Sequence, residues 1–142
     1  MKPTKKSIAF VIYNEDRDRV LCVQQPKDDK DLPNAWGLPA GSLKDGESFE
    51  EAVLRSAMEK LGVNVRIVGH IGRDSCERKN YNLIMEEYEV NIIKGTPRIP
   101  EKVDGITQYQ DMGFFKPENL VNAYQRGSLC SRIYLESIGF FN

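Results

Sequence analysis

Glu47, Glu51, Arg55 and Glu59 are the residues of this chain most apt for chemistry. The last three stand four apart, which makes one row along a helix. Carboxylates in such a row can accept a proton, hold a cation or pair with the guanidinium. On spacing alone the row reads as a solvated ladder of ion pairs, each worth a few tenths of a kcal/mol. Beside it, Ser56, Glu59 and Lys60 share an arc about 100° wide within little more than one turn. That arc carries a hydroxyl, a carboxylate and an ammonium, so its formal charges cancel.

The helix that must hold these groups is strongly signalled. Ser48 is a good N-cap, and Glu51 three residues on completes a capping box. Gly62 suits the left-handed position past the end, and residues 49–61 contain neither Gly nor Pro. At about 100° per residue, Phe49, Val53, Leu54, Ala57, Met58 and Leu61 form an apolar half that should pack on a sheet. Glu51, Ala52, Arg55, Ser56 and Glu59 form the other half, expected to face outward or into a cleft. The helix is entered from the glycine-bearing loop Trp36-Gly-Leu-Pro-Ala-Gly41.

Gly41, Glu47, Arg55, Glu59, Gly62 and Val63 lie at the spacing G-x5-E-x7-R-x3-E-x2-G followed by an aliphatic residue. This resembles the Nudix box, G-x5-E-x7-R-E-U-x-E-E-x-G-U, where U is bulky and aliphatic. Six of its nine specified positions match, and Ala57 is a small stand-in for a seventh. Ser56 and Lys60 stand where the family has glutamates, so the arc's formal charge goes from −3 to 0.

The resemblance implies a Nudix-type α/β/α sandwich around a mixed β-sheet, with the box helix beside the substrate cleft. It implies hydrolysis of a pyrophosphate linkage in a nucleoside diphosphate derivative, dependent on Mg2+ or Mn2+. Carried over residue by residue, Glu59 is the surviving metal ligand and the Gly41 carbonyl a backbone ligand. Glu47 and Arg55 orient the loop against the helix. Asp111 lies where many members add an acidic ligand, with Gln108 near it; Glu86 and Glu87 are weaker candidates. Ser56 is no base near neutral pH, and losing a positioned base costs on the order of 10²–10⁴-fold. Glu51 is a possible substitute. Lys60 either favours the helix dipole or approaches a phosphate as a fixed cation. The alternative is a nucleotide-binding or regulatory module that keeps the cleft without turnover.

The rest of the chain suits that frame. At 142 residues it is long enough for one domain with a full core, and residues 1–6 read as a loose leader. A net charge of −1 gives no global field for a nucleic-acid polymer or a membrane, which leaves small-molecule partners and, as an assembly, a homodimer. No apolar run approaches the length of a membrane span and no signal peptide is visible. Cys22, Cys76 and Cys130 are odd in number and far apart, as expected of reduced cytoplasmic thiols. Strands are expected over 8–13, 20–25, 63–71, 81–93 and 108–115, with a short extended piece at 36–39. Loops are expected at 26–34, 72–80 and 97–107, and helices near 117–124 and 129–138. His70 reads as structural, and Tyr81 as core or a strand-pair residue.

Overall fold

The computed structural model describes residues 2–142. Among the described residues, seven strands form two sheets. β1 (Thr4–Val11), β4 (Ala40–Ser42), β5 (Asn64–Glu77) and β6 (Asn82–Lys94) make one, in the order β4-β1-β6-β5. β2 (Val20–Gln24), β3 (Trp36–Gly37) and β7 (Asp111–Phe115) make the other, in the order β3-β2-β7. β1 and β6 run parallel, and every other strand pair is antiparallel. The helix α1 (Phe49–Leu61) packs on β1, β4 and β5, while α3 (Leu129–Ser137), preceded by a 3-10 turn and the short α2 (Val121–Gln125), packs on β5 and β6.

Strand alternation sorts the core into layers. Ile8, Phe10 and Ile12 join Ala52, Val53, Ala57 and Leu61 of α1 in one cluster. Ala9 and Val11, pointing the other way, meet residues of α3: Leu129 and Ile133 with Ala9, Tyr134 and Leu135 with Val11. The result is a mixed sheet layer between helices, an α/β sandwich.

Several elements differ from the sequence expectation. Residues 4–6 are not a leader: they extend β1 and pair with Asn82–Ile84 of β6; Met1 of that segment lies outside the described residues. β5 runs on through 72–77, because its antiparallel partner β6 continues opposite it to Asn82. Ala40–Ser42 is a strand in its own right, paired with Ser7–Ala9. α1 has the expected limits, with the capping box formed and Gly62 at φ 68°. Its buried face is turned, however. Ala52 and Ser56 are buried while Leu54 and Met58 are 46% and 44% exposed. The cause is the β4 edge, against which Ser56 packs at Gly41.

Candidate active site in the groove between α1 and the loop after β4

Arg55 ties the helix to the loop. Its Nε donates to Glu47 Oε2 at 2.7 Å and its Nη2 to Glu47 Oε1 at 2.9 Å. Nη2 also donates to the Ser42 carbonyl and Nη1 to Glu59 Oε1, each at 2.7 Å. Of the row that looked like a solvated ladder, Arg55 and Glu59 instead join a partly buried network whose bidentate contact is with Glu47. Hydrogen bonding from Arg55 pulls the Glu47 carboxyl down to about 2 and raises the Arg55 guanidinium. Glu47 Oε1 also accepts the Lys44 N–H at 3.0 Å, which closes the loop on itself. The two residues thus join the loop to the helix. Lys44 Nζ stands 3.8 Å from Glu59 Oε2, so Glu59 faces two cations.

Gly41 is where the backbone passes closest to the helix. A Cβ there would lie 2.2 Å from Ser56 Oγ and 3.8 Å from Lys60 Nζ, so only glycine fits. Its carbonyl does not face the groove. Phe10 N–H donates to the Pro39 carbonyl and Leu43 N–H to the Lys6 carbonyl, each at 3.0 Å. Antiparallel pairs alternate between bonded and non-bonded, so Ile8–Gly41 is a bonded pair and the Gly41 oxygen turns toward β1. The oxygens that point away from β1 are those of Ala40 and Ser42. Sequence reasoning expected the Gly41 oxygen at the groove; the pairing of the strand at 40–42 turns the Ala40 and Ser42 oxygens toward the helix instead.

The Ala40 carbonyl is already engaged. It accepts from Lys60 Nζ at 2.5 Å and from Tyr109 Oη at 3.2 Å, while the Ala40 N–H donates back to Tyr109 Oη at 3.1 Å. Lys60 Nζ also lies 5.6 Å from the centre of the Tyr109 ring. Lys60 is thus tied to β4 and only partly exposed, and desolvation lowers its ammonium to about 8. Next to it, Ser56 is fully buried, and among the described residues nothing hydrogen-bonds its hydroxyl.

These groups border a groove of about 500 Å³ lined by Gly41, Lys44, Arg55, Ser56, Glu59 and Lys60 and closed by residues 104–107. Asp104, Tyr109 and Lys44 were not anticipated. Tyr109 is distinguishable in sequence only as one aromatic among alternating polar residues, and nothing near Asp104 signals its position. A larger depression of about 660 Å³ lies across the 43–48 loop. It contains neither Glu59 nor Lys60, so the smaller groove is the candidate site.

Other sequence candidates fall elsewhere. The Glu51 carboxylate accepts the Ser48 N–H at 2.9 Å and is committed to the helix cap, not the groove. Asp111 is exposed at the start of β7, its carboxylate accepts the Met112 N–H, and it does not line the groove. Gln108 donates to the Pro100 carbonyl at 2.6 Å and so pins the 97–107 loop. Glu86 contacts His70 Nε2 at 2.6 Å and Arg73 at 3.0 Å, and His70 lies edge-on to Tyr88, so that histidine has a local partner. Glu87 is buried in the core. Tyr81 Oη donates to Asp31 at 2.9 Å.

The donor set does not suit the multi-carboxylate cage that the box resemblance implies for Mg2+ or Mn2+. Of the arc residues only Glu59 is a carboxylate, the Ala40 oxygen is occupied by an ammonium, and the described residues contain no group of three His, Cys, Asp or Glu placed to hold a metal ion. Mg2+ takes near-octahedral oxygen ligation; at most one ion, carried mainly by a substrate's phosphates and water, could rest on Glu59.

The chain is similar to known proteins in sequence and in fold. A putative 8-oxo-dGTP diphosphatase of Bacillus subtilis (strain 168) is 39% identical over 64 residues, 45% of this chain and 40% of that protein's length. The nucleoside triphosphatase NudI of Escherichia coli O139:H28 is 27% identical over 124 residues, 83% of this chain and 86% of that protein. The crystal structure of a MutT protein from Methanosarcina mazei Go1 superposes with a TM-score of 0.77 at 17% identity, covering 99% of this chain and 97% of that one, a likeness of fold. The family model of the NUDIX domain matches residues 3–126. With the box helix, its Arg55 clamp and its groove in place over that span, the chain belongs to the NUDIX domain family.

Proposed function

We propose that the groove binds the phosphate chain of a nucleoside diphosphate derivative, such as a nucleoside triphosphate, and hydrolyses a pyrophosphate linkage in it. The observation that carries this is the convergence of Glu59, Arg55, Lys44 and Lys60 on one groove beside the Ala40–Ser42 backbone. Cations there suit phosphate oxygens, and Glu59 is a carboxylate lining the same groove. The water oxygen attacks phosphorus, the bond to the bridging oxygen breaks, and that oxygen leaves with the electron pair. The proton from the water passes to Glu59. Relatives described as a diphosphatase and a nucleoside triphosphatase support the substrate class.

Divalent-metal dependence, the family's general habit, enters this reading only as a single Mg2+ or Mn2+ delivered with the substrate. Cys22, Cys76 and Cys130 are free thiols, which suits a reducing compartment, and on that ground we assign the protein to the cytoplasm. No described helix is long and apolar enough to cross a membrane.

A second reading is a nucleotide-binding module. It is favoured by one observation: a buried serine holds the position of a box glutamate. A panel of nucleoside triphosphates and nucleoside diphosphate derivatives, assayed for phosphate or pyrophosphate release with and without Mg2+, separates the two. Turnover abolished by Glu59→Gln supports the hydrolase. Thermal stabilisation by a nucleotide without turnover supports the module.

A further inference from the structure

The Lys60 ammonium sits in the groove in an unusual way for a lysine in the last turn of a helix. It is hydrogen-bonded to a backbone oxygen of β4 and lies near an aromatic ring. A helix-dipole role needs none of this; a solvated ammonium serves it as well. Ammonium has three N–H donors. Among the described residues only the Ala40 carbonyl accepts from it, which leaves two donors without a protein acceptor on a residue that lines the groove. On the same groove are Lys44 and Arg55, against the carboxylates of Glu59 and Asp104.

We propose that Lys60 is a resident cation that binds substrate phosphate from the Ala40 carbonyl, so that polyphosphate binding in this groove requires no metal ion. The inference rests on the reading above, since it supposes that the groove receives phosphates. Its basis is the misfit already described. An oxygen that could serve a divalent ion holds an ammonium, and a divalent ion placed on the same oxygen would be repelled by it. A fixed ammonium supplies charge at a set position with no reorganisation when phosphate arrives. The ligand class is a linear polyphosphate, free or as the tail of a nucleotide.

Isothermal titration with tripolyphosphate, in EDTA and in Mg2+, tests the proposal on the intact chain. Wild-type protein is expected to bind in EDTA. Lys60→Met is expected to weaken that binding by about tenfold or more, the loss of a charged hydrogen bond, and Lys60→Arg to retain most of it. Lys60→Glu is expected to acquire Mn2+ binding, read by electron paramagnetic resonance, that the wild type lacks. Binding by wild type only when Mg2+ is present overturns the inference, as does undiminished binding by a folded Lys60→Met. Should that variant fail to fold by circular dichroism, the wild-type titration in EDTA and the wild-type Mn2+ spectrum decide the matter unaided. Hydrolysis seen only with Mg2+, alongside polyphosphate binding that also needs it, removes this inference and leaves the hydrolase standing. Lys60-dependent binding without turnover of any nucleotide does the reverse.

Discussion

At the scale of single residues, the site depends on Gly41 and Ser56 touching. The contact needs glycine on the strand and a small residue on the helix. Gly41→Ala is expected to destabilise by roughly 1–3 kcal/mol, as overpacking does. Ser56→Ala should recover part of this in the double variant, since the 2.2 Å encounter is with Oγ. Chemical denaturation of the two single variants and the double supplies the cycle. Ser56→Ala alone removes a buried hydroxyl that nothing described bonds, so it should be neutral or stabilising by about 1 kcal/mol. The box pattern made Glu47, Arg55 and Glu59 legible by number. Which peptide oxygen faces the helix was not legible, because it depends on a three-residue strand whose register no local pattern fixes.

At the scale of elements, α1 and the loop before it act as one piece through Arg55. Two carboxylates and a carbonyl share its guanidinium, and lysine cannot reproduce that fork. Arg55→Lys is therefore expected to lower both the melting temperature and any turnover, the latter because Glu59 loses its anchor; differential scanning calorimetry with the activity assay measures both. The pH dependence has a definite sign. Glu47 is depressed from 4.5 to about 2, first by its hydrogen bond from Arg55. Its contribution is present above the unfolded value and is lost as pH falls from about 4.5 toward 2. Arg55→Met should flatten that acid limb of the stability curve. The helix limits were readable because caps are local. Its buried face was not, since the β4 edge turned Ala52 and Ser56 inward and left Leu54 and Met58 exposed.

The strand β6 carries the opposite case. Glu87 is fully buried and its two oxygens have no partner among the described residues. Burial raises its carboxyl well above 4.5, with Cys130 and Tyr134 of α3 as titratable neighbours, both also raised by burial. Below about 4.5 both folded and unfolded forms are protonated; above it the unfolded chain ionises first, so stability falls as pH rises toward the folded value. Glu87→Gln should remove this slope and stabilise the protein near pH 7 by about 1 kcal/mol or more, as urea titrations across pH 4 to 8 would show.

At the scale of the whole molecule, the sequence order of strands, one central helix, strands and final helices suited the sandwich that the box resemblance implied, because such an order leaves few layer arrangements. The split into two sheets and the extension of β1 over Thr4–Lys6 were not visible, since both depend on partners distant in sequence. The same holds for the groove's far wall. Residues 104–107 reach it only because the 97–107 loop folds back over α1, and so Asp104 borders it while Asp111, favoured by the resemblance, does not. The fold brings a single carboxylate of the box arc, three cations and a backbone edge together on one side of a protein with a net charge of −1. The most direct test is hydrolysis of nucleoside triphosphates in ¹⁸O-water, followed by ³¹P NMR for wild type and Glu59→Gln. The account predicts ¹⁸O on a product phosphorus with wild type and a rate lower by about 10²-fold or more with the variant. Equal rates for the two proteins, or no product from wild type with any nucleotide, would contradict it.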